Sequence, residues 1–414
     1  MTAKDATPHS TATRPRVLFV NTRSALGADV AVHLSLIQNL NPDSVDVYVA
    51  TNQHSVDIDA TVRMIRMAPR VRLVVCDLGH EVQGDSRIGR AVSALRNVPA
   101  LFTLLRLFFL IRRERISVLH TTDRPRDAAF TTLLGKLTGA AVVLHVHLKW
   151  TPHIGRAAHW AAHHARAVVS ISRFTSNSLI EGGIEPERIF MAYNATDAER
   201  FNPAVVPRGA LRSKLGIDAS IPLIGIVGRF MIWKGHLDLV TAFAQVRAKI
   251  HNARLVLVGR ATSEDASGPD SYLGLVKRRI HELNLADSVD WAEWTDDVPA
   301  VMTDFDVMAM PSFEEPFGLV VTECMSMERP VVAYASGALP EIIADGVEGL
   351  LVPPRDTDAL ARALIMLLED PALRLAMGTR GRQRVISDFS PLGQATVFTE
   401  LYRALALGEP VPRT

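Results

Sequence analysis

Glu315 and Glu323 stand eight positions apart in PSFEEPFGLVVTECMSMERPVV (residues 311–332), near the two ends of its apolar centre. Carboxylates accept hydrogen bonds, and neighbouring hydroxyls of a polyol donate them in pairs. The local pattern gives both acids a place. DVMAMPS reads as a strand, FEEPFG as the turn after it and LVVTECMSM as a helix, with Pro316 near its start and Arg329-Pro330 at its end. Glu315 then stands at the strand's carboxyl end, and Glu323 one turn into the helix, four residues after Leu319. The backbone N–H groups of Phe317, Gly318 and Leu319 become helix-start donors, which favour oxygen-rich or anionic groups. Gly318 admits close approach to the backbone. The plainer reading is a capping acid at Glu315 and a solvated helix face at Glu323. The segment alone leaves both readings open.

A second cluster, GIVGRFMIWKGH (225–236), ends a strand at Gly228 and follows it with Arg229 and Lys234. The pair suits a diphosphate, Arg229 as a planar fork and Lys234 as a point charge, unless both are ordinary surface cations. It is not a GxxxxGK[ST] loop, and neither GxGxxG nor GxSxG is found. In ASGALPEIIADGVEGLLVPPRD (335–356), Gly337, Pro340 and Glu341 read as a turn opening a helix, followed by a turn and a short edge strand. Gly27, in the turn after the first strand, is placed to admit a phosphate. Among the histidines, His145 and His147 alternate on one face of AVVLHVHLKW, and His120 closes SVLH. His159 and His163 lie four apart on an expected helix, a spacing that can ligate a metal. No HExxH, acid or third ligand at a fixed spacing accompanies them, so a metal is not expected. A strand-end histidine, His147 ahead of His145, is expected to hydrogen-bond a substrate.

These residues need strands to carry them. RVLFV, VDVYVAT, RLVVCDL, SVLHTT, AVVLHVH and AVVSIS are short apolar runs suited to parallel strands covered on both faces. Segments long enough for crossover helices separate them. After YNATDAERFNP (193–203) comes a Pro- and Gly-containing stretch, and the rhythm restarts with LIGIVG, RLVLVG, SVDWAE, DVMAMPS and PVVAYA. The expected fold class is α/β, two Rossmann-like doubly wound domains. The expected organisation is a disordered tail (1–15), a first domain (16–203), a second domain (204–388) and a last helix (389–414) returning to the first. Ligands of such sheets bind beyond the carboxyl ends of the strands, where the informative residues fall.

At 414 residues, with 48% apolar and 21% charged residues, the chain has the size and composition of a two-domain globular protein. Cys76 and Cys324 lie far apart in apolar surroundings and form no disulfide or zinc pattern, which fits a reducing cytoplasm. The first fifteen residues lack the apolar core of a secretory signal. The front half is basic and the back half acidic, which suggests different partners for the two. The longest apolar run, VPALFTLLRLFFLI (98–111), contains Arg106 and is shorter than the about 20 residues a bilayer span needs. RRER follows it. The segment 98–115 is either a buried crossover helix or an in-plane membrane contact with a basic end.

In combination and order, the GR and KG of 228–235, the E-x7-E of 315–323, GALPE and DGVEGLLVPP resemble the retaining glycosyltransferases of family 4, which have the GT-B architecture. YNATDAERFNP resembles the linker of that family. The resemblance is dense over the back domain and loose over the front. It implies donor-diphosphate contacts from Arg229 and Lys234, a donor-sugar contact from Glu315 and a ribose contact from Glu323. It also implies backbone donors at Phe317, Gly318 and Leu319, a front-domain histidine near the reacting centre at His147, and a glycine loop at Gly27. Ala28, Ala195, Pro316 and Ala338 depart from residues common in the family. The implied activity is transfer of a sugar from a nucleotide-sugar, a UDP-sugar before a GDP-sugar, with retention and without a metal or other cofactor. The acceptor would be a lipid-linked or cell-envelope glycan or a small molecule, the location cytoplasmic or peripheral on the inner membrane face, and no nucleic acid is involved. A sugar-nucleotide 2-epimerase, a phosphorylase of the same architecture and a non-catalytic nucleotide-sugar-binding protein are the alternatives.

Overall fold

The computed structural model describes residues 14–21, 28–54, 62, 63, 65, 66, 68, 70–78, 98–260 and 271–413. The expected tail up to residue 13 and the candidate Gly27 lie outside them. The described residues form two sheets. The first contains β1 (Arg16–Asn21), β2 (Asp46–Asn52), β3 (Arg72–Cys76), β4 (Val118–Thr122), β5 (Ala141–Val146), β6 (Ala167–Ser170) and β7 (Ile189–Met191), in the order β3-β2-β1-β4-β5-β6-β7. The second contains β8 (Leu223–Val227), β9 (Arg254–Val258), β10 (Val289–Ala292), β11 (Val307–Met310), β12 (Val331–Tyr334) and β13 (Gly349–Val352), in the order β10-β9-β8-β11-β12-β13. β1 runs parallel to β2 and β4, and β8 runs parallel to β9 and β11. Each sheet therefore reverses its winding once, between β1 and β4 and between β8 and β11. These are the switch points at which doubly wound sheets open a crevice.

The central strands explain why the sequence reads as unbroken apolar runs. All five residues of β4 and all five of β8 are buried. Helices cover both faces, so no polar alternation is required. The second sheet is packed by Leu239, Phe243, Leu360 and Leu364 in one cluster and by Phe305, Val321, Met325 and Leu339 in another. Cys76 and Cys324 are buried free thiols.

Two compact units divide the chain. One takes residues up to Val169, Leu179–Phe190 and Ala395 onward, and the other takes Ser170–Ser178 and Met191–Gln394. The linker-like stretch after Met191 thus lies with the second unit. Tyr193 rests on Phe389 and Phe317, with ring centroids 5.5 and 6.0 Å apart, and the Thr196 and Thr322 hydroxyls meet at 2.6 Å. The helix Pro391–Leu407 enters the first unit from Ala395, where Phe398 and Tyr402 are fully buried.

The segment 98–115 forms the helix Val98–Arg113 and its basic end. Leu107 and Ile111 face the core. Leu101, Phe102, Leu105 and Phe109 remain 60, 71, 58 and 66% exposed. Among the described residues no helix is long and apolar enough to cross a membrane.

Candidate active site

The carboxyl end of β8 carries Gly228 and Arg229, and a short 3-10 turn, Ile232–Lys234, follows. The carboxyl end of β11 leads through Pro311 to Glu315. The two loops are stitched together at the switch point. The Phe313 N–H donates to the Trp233 carbonyl at 2.8 Å. Gly235 has φ +73°, and a Cβ there would collide with the Pro311 carbonyl oxygen. Only glycine combines that conformation with so close an approach. The result is a Lys234 Nζ–Glu315 Oε2 ion pair of 2.7 Å whose side chains are 12 and 8% exposed. Lys234 Nζ also lies 4.3 Å from the Trp233 ring centroid.

The loop after β12 braces Glu315 from another side. The Ser336 hydroxyl donates to the Phe313 carbonyl, and the Ala338 N–H donates to the Glu315 carbonyl at 2.8 Å. Gly337, at φ +61°, lies against the Glu315 backbone with no room for a Cβ. The turn read at Gly337, Pro340 and Glu341 opens the helix Leu339–Ile342, and the Glu341 carboxylate accepts the N–H groups of Arg173 and Phe174 at 2.8 and 2.9 Å.

The helix predicted after FEEPFG is Leu319–Ser326. Among the described residues no acceptor meets the N–H groups of Phe317, Gly318 and Leu319. The Phe317 ring itself is core, 2% exposed. Arg229 is exposed, and its guanidinium has no partner among the described residues. Lys234, by contrast, is engaged by Glu315. Glu323 is half-buried on the same helix, and burial pushes its carboxyl up to about 7, with the Arg200 guanidinium acting in the opposite direction. The structure thus joins Lys234 and Glu315 directly, sets Gly318 beside the Glu315 stem, and gives Glu323 a separate environment.

In the first unit His147 follows β5 directly. Its backbone N–H donates to Asp123 Oδ2 at 2.9 Å, and burial pulls its imidazole down to about 4. Burial raises Asp123 to about 6. His145 is fully buried, so its expected contact with a substrate does not arise. The spacing of His159 and His163 makes no pair either: His159 Nε2 lies 3.0 Å from the Thr151 carbonyl, while His163 is exposed. The sequence reading missed His33, whose Nε2 lies 3.2 Å from His145 Nδ1. Its signal was one polar residue on the buried face of ADVAVHLSLIQN.

Two doubly wound parallel sheets in one chain, each with polar residues gathered at its switch point, define the GT-B class of glycosyltransferase fold. A model of the glycosyl transferases group 1 matches residues 207–384, and one of the glycosyl transferase 4-like domain matches residues 27–195. The chain belongs to glycosyltransferase family 4. An alpha-maltose-1-phosphate synthase of Mycobacterium tuberculosis is 30% identical over 58% of this chain and 63% of its own length. A D-inositol 3-phosphate glycosyltransferase of Segniliparus rotundus is 31% identical over 52% of this chain and 48% of its own. The chain therefore spans about half to three-fifths of these relatives. Among solved structures, Anabaena HepE in complex with UDP superposes with a TM-score of 0.74 at 19% identity, covering 93% of this chain and 98% of that one. The sucrose-phosphate synthase of Thermosynechococcus elongatus gives 0.74 at 23% identity, covering 96 and 100%.

Proposed function

We propose that the chain transfers a sugar from a nucleotide-sugar to an acceptor hydroxyl with retention at the anomeric carbon. The observation that carries this reading is the buried Lys234–Glu315 pair at the switch point of the second sheet, with the exposed Arg229 on the adjoining loop. As the glycosidic bond breaks, the leaving diphosphate gains charge. Arg229, Lys234 and the helix-start N–H groups at 317–319 stabilise that charge in place of a metal. Glu315 orients the donor sugar and Glu323 the ribose, both as acceptors of hydroxyl donors. His147 stands on the acceptor side. No covalent nucleophile is assigned, and the leaving phosphate takes the acceptor proton. UDP is the favoured nucleotide and GDP the next. The UDP and UDP-glucose complexes of HepE support that order.

We read the acceptor as a lipid-linked or cell-envelope glycan at a membrane surface. Support comes from the helix Val98–Arg113, where Leu101, Phe102, Leu105 and Phe109 share one exposed face with Arg106, Arg112, Arg113 and Arg115 exposed nearby. The test is UDP release from UDP-sugars with and without an acceptor panel, using wild type and Glu315→Ala. Acceptor-dependent release by wild type, absent in the variant, supports transfer. Conversion of the donor without acceptor would favour an epimerase, and tight donor binding without turnover a non-catalytic protein. Co-sedimentation with anionic vesicles, lost in Phe102→Ser/Phe109→Ser, tests the membrane contact.

A further inference from the structure

We propose that His33, His145 and His147 bind one divalent cation of the zinc class. His33 comes from the helix Ala28–Asn39, which follows β1; His145 lies on β5 and His147 just beyond it. Their ring centroids are 5.2 Å (His33–His145), 4.2 Å (His145–His147) and 5.6 Å (His33–His147) apart. One nitrogen from each ring lies within 4.8 Å of the other two. Zinc–nitrogen bonds of about 2.0–2.1 Å ask the three to close by roughly an ångström, within reach of small ring rotations.

Two observations point to an ion. First, His145 Nε2 and His147 Nε2 are buried without a hydrogen-bond partner among the described residues. Two such orphans side by side are costly and call for an occupant. Second, a further shell of side chains allows the ligating tautomer of His145. Tyr402 Oη lies 2.6 Å from His120 Nδ1, and His120 Nε2 lies 3.3 Å from His145 Nδ1. If His120 Nδ1–H donates to Tyr402, His120 Nε2 accepts from His145 Nδ1–H, and the His145 Nε2 lone pair is left bare for a metal.

The donor set selects the ion. Three imidazoles without carboxylate or thiolate suit zinc, copper, nickel or cobalt and not magnesium or calcium. Three protein ligands leave a fourth position for an oxygen ligand such as water. His147, half-buried, sits on the accessible side. This ion is distinct from the charge balance of the diphosphate, which stays with Arg229 and Lys234, and its detection does not depend on the transfer reading.

The experiment uses the full chain, stripped with a chelator and titrated with Co2+ followed by Zn2+. One equivalent of Co2+ is expected to give the visible d–d bands of a four-coordinate nitrogen site, and Zn2+ to abolish them. His33→Gln and His145→Gln should each weaken binding at least about tenfold, while His159→Gln binds as wild type. Circular dichroism identifies any variant that does not fold, and the other then decides. Absence of stoichiometric Co2+ uptake by folded wild type, or equal uptake by a folded His33→Gln or His145→Gln, overturns the proposal.

Discussion

Lys234→Met leaves the Glu315 carboxylate, 8% exposed, without its cation. Glu315→Gln leaves the Lys234 ammonium in the same position from the other side. Breaking a buried pair by removing one partner costs about 3–5 kcal/mol, whereas an exposed pair is worth about 0–1. Exposures of 12 and 8% put this pair at the buried end. Lys234→Met is therefore expected to cost about 3 kcal/mol in denaturant unfolding, and Glu315→Gln about 2 kcal/mol, because the neutral amide still accepts a hydrogen bond. The double variant should be less destabilised than the sum, with a coupling of about 1–3 kcal/mol. The assay is urea unfolding of the four proteins, fitted to the transition of the second unit. A coupling below about 0.5 kcal/mol would refute the reasoning, since the pair would then behave like one screened by water.

Further outcomes follow from the same geometry. Lys234→Met should weaken UDP binding at least about tenfold, while Glu315→Ala abolishes transfer and leaves UDP affinity within a few-fold, both by titration calorimetry. Gly337→Ala forces a side chain against the Glu315 backbone at φ +61° and should lower stability by about 1–3 kcal/mol and reduce transfer. Arg212, 3% exposed, donates to the carbonyls of Asp304, Asp218 and Ile221 and pairs with Asp306, so Arg212→Ala should cost about 3–5 kcal/mol in calorimetric unfolding. Glu323 binds its proton more tightly folded, at about 7, than unfolded. Stability should accordingly fall as pH rises from about 4.5 to 7, and Glu323→Gln should flatten that part of the pH–stability curve.

The strand rhythm was readable because fully buried parallel strands write themselves as continuous apolar runs, as in LIGIV of β8. The positions of Arg229, Lys234 and Glu315 were readable because each lies in the loop after a strand, where a doubly wound sheet opens, and that of Glu323 because it falls on the helix that follows. The Lys234–Glu315 pairing was not, because the contact depends on the approach of Gly235 to Pro311 across 76 positions. The place of residues 191–203 was also hidden. Pro and Gly mark a break in local structure, while the packing of Tyr193 on Phe317 and Phe389 decides the side to which the chain adheres. The histidine cluster draws on the helix after β1, on β4 and on β5, so no single stretch announces it. The helix Val98–Arg113 carried a signal of both readings and buries one face while exposing the other.

Nucleoside diphosphate binding by the second unit through Arg229 is the proposal to test first. The direct measurement is thermal unfolding of wild type and Arg229→Ala with UDP, GDP and ADP in turn. A nucleotide at about a hundred times its dissociation constant stabilises by about 2.7 kcal/mol. UDP is expected to raise the wild-type midpoint most, and Arg229→Ala to lose the shift. A folded wild type that none of the three nucleotides stabilises, or an Arg229→Ala variant that keeps the full shift, would contradict it.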